Sequence, residues 1–139
     1  SGLVTCRDGP VFRGGVEEDA RGPRGVFGQV GPSMVQGGGG WIVAAASGAA
    51  SVGIDGYAAS GAAKFAVRGL TEWLRTELAP HGVQAACAYP ADVDTPMLAD
   101  EEQYKPAETA AIAGSIKPVA PKRVAAAIVA GIERGTAAI

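Results

Sequence analysis

The sequence has 139 residues, of which 47% are hydrophobic and 19% are charged. This length is enough for one modest domain and too short for two ordinary ones. A net charge of −2 and a pI near 5.3 leave no basic stripe that would displace counterions from a phosphate backbone, so we expect no nucleic-acid partner. No apolar run approaches the roughly 18 residues that span a bilayer. Cys6 and Cys87 favour a reduced intracellular protein over a disulfide framework.

Residues 1–40 form a glycine-rich leader that ends in four consecutive glycines at 37–40. Its few apolar residues follow neither a helical nor a strand period, and ordering so many glycines is entropically costly. We therefore predict a mostly disordered leader, with a short helix at most over 28–36, and a flexible linker at 37–40. The first residue is Ser rather than Met, so we take the start of the polypeptide to be missing. The folded domain is predicted over 41–139.

A strand, a long helix and a second strand are predicted next. The run 41–46 is short and apolar, as in a strand buried on both faces of a parallel sheet. Residues 60–79 carry apolar side chains at steps of three and four and predict an amphipathic helix that ends at Pro80-His81-Gly82. Residues 83–89 form a second apolar strand. A connection this long between two strands favours a parallel crossover over a hairpin.

The remaining chain predicts two further helices. The stretch 96–118 is polar and interrupted by prolines, and it has room for a short helix. Pro121 stands where a first helical turn tolerates proline, and apolar residues continue the last helix to Gly135. The predicted fold class is α/β with a parallel sheet. Asp92 and Asp94 are two residues apart, but in a loop they are more typical of a turn than of a metal site, and we predict no metal.

Several motifs resemble the C-terminal half of the short-chain dehydrogenases/reductases between residues 41 and 135, and most closely the 3-ketosphinganine (3-ketodihydrosphingosine) reductases. The similar segments are Lys64-Phe65-Ala66-Val67-Arg68-Gly69-Leu70 and Tyr89-Pro90-Ala91-Asp92-Val93-Asp94-Thr95-Pro96. The resemblance implies the C-terminal part of a Rossmann-like, doubly wound parallel sheet. Nothing before Gly40 matches the N-terminal dinucleotide-binding half, and the Thr-Gly-x-x-x-Gly-x-Gly turn that holds the pyrophosphate in that half has no counterpart here.

In that family a serine after a strand, and a tyrosine with a lysine four residues later on the next helix, form one site. The lysine lowers the pKa of the tyrosine, which gives a proton to a carbonyl oxygen that the serine steadies. By resemblance Lys64 is the lysine and Ser47 the serine, thirteen residues before Ser60, which stands at the tyrosine position. A serine hydroxyl is a much weaker acid than a phenol and reaches less far, so we expect impaired catalysis.

Two placements of the missing tyrosine stay open. In the first, Ser60 replaces it. In the second, Tyr57 is the catalytic residue and three inserted residues separate it from Lys64, which leaves the two seven residues apart and roughly 10 Å apart along a helix. We favour the replacement.

The resemblance also implies a cofactor site and a substrate. NADPH would be bound by Lys64, by the backbone at Pro90 and Val93, and by the Thr95 hydroxyl. The implied reaction reduces 3-ketosphinganine to sphinganine, in sphingolipid synthesis on the cytosolic face of the endoplasmic reticulum.

Two rival hypotheses are kept. The first is a non-catalytic interaction module that forms homo-oligomers, or pairs with a full-length relative, through the helix at 60–79. The second is an imperfect gene model in which the leader is not genuine protein.

Overall fold

The computed structural model describes residues 9–53, 58–102 and 117–139. The helices and strands are α1 (Gly9–Gln36), β1 (Gly40–Ala45), α2 (Ala58–Leu78), β2 (Val83–Ala88), α3 (Pro96–Glu102) and α4 (Pro121–Glu133). Two single turns of 3₁₀ helix, Gly48–Ala50 and Ala79–His81, follow β1 and α2. This succession confirms the predicted α/β class.

Strands β1 and β2 pair in parallel, with Gly40 opposite Val83 and Ala45 opposite Ala88. Helix α2 lies between them in the sequence, so the predicted crossover connection is confirmed. The last residues of the chain pair with the other side of β2: Cys87 donates its amide to the carbonyl of Ala137 and accepts the amide of Ile139, both at 3.0 Å. Strand β2 is therefore central, with β1 on one side and residues 137–139 on the other.

The core lies between this sheet and helices α1 and α2. Strand β2 contributes small buried side chains, from Ala85 to Ala88, that let the helices approach closely. Helix α2 buries the predicted face: Ala63 and Val67 are almost fully covered, and the leucines of the same face are half-buried. Val67 and Val83 are the largest fully buried side chains of the described part, and burying each contributes about 1.5–3 kcal/mol.

Helix α1 differs from the expected disordered leader over Gly9–Gln36. Phe27 and Gly31 are buried and Met34 is half-buried, and these positions are four and three residues apart, as on one helix face. Phe27 belongs to the core, and Met34 packs against it. This burial offsets the entropic penalty of the glycines. Sequence reasoning missed the face because one of its positions is a glycine. Residues 1–8 lie outside the described residues.

The glycines at 37–40 form a tight connection and not a flexible linker. Gly38, Gly39 and Gly40 have φ angles of +86°, +136° and +144°, a region that L side chains rarely adopt. The amide of Gly40 donates to the carbonyl of Gly82 at 3.3 Å. Glycine is required here because the α1–β1 connection passes directly over the turn that precedes β2.

Within the described ranges, no helix is both long and apolar enough to cross a membrane. Trp73 on α2 is 72% exposed in this chain. Its ring therefore contributes little to the core of this chain.

Candidate active site at the carboxyl ends of the strands

The carboxyl ends of β1 and β2 meet at one edge of the sheet. The amide of Ala46 donates to the carbonyl of Ala88 at 2.9 Å, and the amide of Gly48 donates to the carbonyl of Pro90 at 3.2 Å. The segments that follow the two strands are therefore joined by backbone hydrogen bonds. Open parallel sheets bind ligands at this edge, and Ser47 and Pro90 are both brought to it.

Ser47 is half-buried and opens the turn after β1. Its carbonyl accepts the amide of Ala50 at 2.9 Å, and Gly48 accepts the amide of Ser51 at 3.1 Å. The turn is thus fixed internally by two short hydrogen bonds. The backbone of Ser47 therefore helps to form the turn, and the turn fixes the position from which the Ser47 side chain extends.

Ser60 and Lys64 lie in the first half of α2, both half-buried. Four residues separate them, so they share one helix face about one turn apart. Tyr57 lies outside the described residues. The structure therefore tests neither placement of the missing tyrosine, and the role of Ser60 stays a prediction.

Arg68 connects this helix to the Ser47 turn. It lies one turn beyond Lys64 on α2, and its guanidinium Nη1 donates to the carbonyl of Ala50 at 3.2 Å. Ala50 is fully buried. Sequence reasoning placed Arg68 in the family motif without a role, because a contact across 18 residues of sequence leaves no local signal.

The loop after β2 is held by a short parallel bridge between Val93 and Val119. The amide of Asp94 donates to the carbonyl of Val119 at 3.0 Å, and the amide of Val119 donates to the carbonyl of Asp92 at 2.8 Å. These bonds fix the backbone on both sides of Val93. The part of the loop expected to meet the nicotinamide is therefore preorganised.

Thr95 begins helix α3, a role that sequence reasoning missed. Its hydroxyl accepts the amide of Leu98 at 3.4 Å and donates to the carbonyl of Val93 at 3.3 Å. Pro96 follows as the first helical residue, the usual arrangement at a helix start. The sequence signal was present in the pair Thr95-Pro96. The same hydroxyl is the one expected to meet the cofactor.

Tyr89 is a half-buried phenol at the end of β2 that packs against the core. Burial, followed by a hydrogen bond to Cys87, raises the pKa of Tyr89 to about 12. Such a phenol stays protonated at neutral pH and ionises with difficulty. A raised pKa is the opposite of the lowered pKa that the resemblance implies for the catalytic tyrosine of the family.

Asp92 and Asp94 lie two residues apart in the loop after β2. Across residues 9–53, 58–102 and 117–139, no three His, Cys, Asp or Glu residues are grouped so that they could hold a metal ion. Asp92 and Asp94 flank Val93, and their backbones make the bridge to Val119.

A family model described as short chain dehydrogenase matches residues 21–106. The match begins inside the predicted leader and not at residue 41, so part of α1 belongs to the family domain. The 3-ketodihydrosphingosine reductase of Dictyostelium discoideum is 40% identical over 136 residues, which cover 96% of this chain and 41% of that protein. The 3-ketodihydrosphingosine reductase of Bos taurus is 42% identical over 96 residues, covering 69% and 29%. The chain spans less than half the length of these relatives.

A solved short chain dehydrogenase from Burkholderia cenocepacia J2315, in complex with NADP, superimposes with a TM-score of 0.80. The superposition covers 100% of this chain and 53% of that one, at 24% sequence identity. At this identity the superposition is evidence for the fold alone. The fold agrees with the predicted partial Rossmann-like sheet. On the fold, the site geometry and the family match over residues 21–106, this chain belongs to the short-chain dehydrogenase/reductase family.

Proposed function

We propose that this chain carries the carbonyl side of an NADPH-dependent ketoreductase site, with 3-ketosphinganine as the substrate and sphinganine as the product. One observation carries the proposal. The turn that presents Ser47 is hydrogen-bonded both to the loop after β2, through Gly48 and Pro90, and to the helix that carries Lys64, through Ala50 and Arg68. The names of the Dictyostelium and bovine relatives support the choice of substrate.

Each proposed residue has a separate role at the carbonyl oxygen of the substrate. The Ser47 hydroxyl donates a hydrogen bond to this oxygen and stabilises the negative charge that develops on it. The Lys64 ammonium adds positive charge from the face of α2 that also carries Ser60. The nicotinamide, when bound, supplies the hydride to the carbonyl carbon. The Lys64 ammonium gives a proton to a water molecule held between Ser60 and Lys64, and this water passes a proton to the oxygen. A secondary alcohol results, and Lys64 regains its proton from solvent.

The residues fit the nicotinamide end of the cofactor better than its pyrophosphate. The backbone of the loop from Pro90 to Val93 is fixed at the carboxyl end of β2 by the bridge to Val119, where such ligands bind. The Thr95 hydroxyl donates to the Val93 carbonyl and accepts from Leu98, so it would have to rotate to donate to a phosphate. The proposal that a residue binds the cofactor is therefore better supported for Lys64, Pro90 and Val93 than for Thr95. The proposed location, the cytosolic face of the endoplasmic reticulum, follows from the family resemblance alone.

The test combines cofactor binding and turnover on one sample. NADPH is titrated into the purified chain by calorimetry, and sphinganine formed from 3-ketosphinganine is measured by mass spectrometry. We expect a slow rate that falls at least about tenfold in Ser47→Ala and in Lys64→Met. Ser51→Ala is the matched control, since Ser51 is an exposed serine one turn further along. Equal rates in all four proteins would overturn the proposal.

A second candidate function is self-association through the outer face of α2. We define this face by six uncharged positions of α2: Ala62, Phe65, Ala66, Gly69, Trp73 and Thr76. All are exposed except the half-buried Gly69, and the exposed Glu72 and Glu77 lie at its borders. Phe65 is 44% exposed and Trp73 is 72% exposed, so two aromatic rings lie on the surface about two turns of α2 apart. Gly69 lies between them. A two-fold axis near Gly69 would place Trp73 of one copy over Phe65 of the other.

Light scattering after gel filtration tests this candidate. We expect the mass of a dimer for the wild-type chain and of a monomer for Trp73→Lys. Val129→Lys is the control, because Val129 is also exposed (55%) but lies on α4. A dimer that survives Trp73→Lys would contradict the candidate and direct attention to another surface or to a full-length relative.

A further inference from the structure

Arg68 has a place in the site that neither the family motif nor the proposed chemistry assigns. It is half-buried on α2, and its guanidinium reaches across to the backbone of the Ser47 turn. The bond from Nη1 to the Ala50 carbonyl is 3.2 Å long. Hydrogen bonds from a charged donor are stronger than neutral ones, and most of all where water is partly excluded.

With this bond, the Ser47 turn is hydrogen-bonded to neighbouring elements at both of its ends. The turn is tied to β2 at one end, through the Gly48 amide and the Pro90 carbonyl. Arg68 ties its other end to α2. Arg68 therefore links the turn directly to the helix that carries Lys64.

We propose that Arg68 is a positioning residue, which sets the Ser47 turn relative to Lys64 through its hydrogen bond to the Ala50 carbonyl. It acts on the reaction only through Ser47, so its catalytic consequence rests on the proposed function. Its structural consequence does not. The turn should loosen when the guanidinium is removed, whether or not the chain reduces a ketone.

Another arginine of the same helix provides a matched control. Arg75 pairs with Glu72, one turn before it on the exposed side of α2. Replacing Arg75 removes the same charge from the same helix without touching the Ser47 turn.

The primary experiment measures amide hydrogen exchange by NMR in the full chain. In Arg68→Met, which keeps most of the aliphatic stem, we expect exchange at Ala50 and Ser51 to accelerate roughly tenfold, with no change at amides in the middle of α2. Arg68→Lys retains a positively charged N–H donor group and should restore most of the protection. Adding methylguanidinium to Arg68→Ala should slow exchange at the same two amides. Arg75→Met should leave both amides as in the wild type.

The outcomes separate the two claims. Unchanged exchange at Ala50 and Ser51 in a folded Arg68→Met chain overturns the positioning role, whatever the turnover. If Arg68→Met unfolds, Arg68→Lys decides: wild-type protection at both amides supports the role, and a loss equal throughout the chain overturns it. Faster local exchange together with no turnover in any variant supports the positioning role and contradicts the proposed function instead.

Discussion

Gly39 lies directly against Gly82, so closely that a methyl group at Gly39 would be 2.6 Å from the carbonyl oxygen of Gly82. Both glycines have positive φ angles, +136° and +77°. The turns that precede β1 and β2 can therefore pack this closely only if Gly39 and Gly82 are both glycine. This contact determines where α1 ends and where the parallel pair begins.

We predict that Gly39→Ala lowers the free energy of unfolding by at least about 2 kcal/mol, because the new methyl group meets backbone and the φ angle is unfavourable. Urea unfolding followed by circular dichroism measures the change. Gly28→Ala is the control. It lies in α1 with open space around it, so the same substitution should stabilise the helix by up to about 1 kcal/mol. Equal unfolding midpoints for Gly39→Ala and the wild type would contradict the prediction.

Tyr89 gives a prediction for alkaline pH. Its pKa is raised from 10.0 to about 12 by burial and then by the hydrogen bond to Cys87, so the folded state keeps a proton that the unfolded state loses. The contribution of Tyr89 to stability is complete below pH 10 and is lost as the pH rises toward 12. Urea midpoints should therefore fall more steeply above pH 10 in the wild type than in Tyr89→Phe. Parallel curves for the two proteins would show that the folded and unfolded pKa values are the same.

Thr95 gives a prediction for helix α3. Thr95→Val keeps the shape of the side chain but removes the hydroxyl oxygen, which accepts the Leu98 amide at 3.4 Å alongside the Thr95 carbonyl at 3.1 Å. We expect a loss of about 0.5–1 kcal/mol in stability. Thr95→Ser keeps the hydroxyl and should be about as stable as the wild type, because serine caps a helix at least as well as threonine. Thermal unfolding of the three proteins distinguishes them. If Thr95→Val is as stable as Thr95→Ser, the hydroxyl is not a helix cap.

Local apolar patterns in the sequence predicted the elements that build the sheet. The spacing of apolar residues indicates both strands, at 40–45 and 83–88, and the buried face of α2. Such spacing predicts structure because the burial of apolar side chains is the dominant stabilising effect in folding. The parallel pairing follows from the length of the connection. Cys87 was expected in a buried strand and is 2% exposed.

Long-range contacts account for what the sequence did not predict. Helix α1 depends on packing of Phe27 against the sheet, which outweighs the low helix propensity of its glycines. The glycines at 37–40 are rigid because Gly82, far along the chain, lies over them. Arg68 belongs to the site because of a carbonyl 18 residues away. The contacts of Gly82 and Arg68 leave no periodic signal in the sequence, and the helical period of α1 is hidden by the glycine at position 31.

If Ser60 stands at the proton-donor position of a ketoreductase site, a phenol placed there should restore direct proton transfer. Sphinganine formation from 3-ketosphinganine and NADPH is compared for the wild-type chain, Ser60→Tyr, and Ser60→Tyr combined with Lys64→Met. A phenol one turn before Lys64 can give its proton directly, so Ser60→Tyr should be faster than the wild type by about 100-fold or more, and removal of Lys64 should abolish the gain. An unchanged rate in Ser60→Tyr would contradict the account.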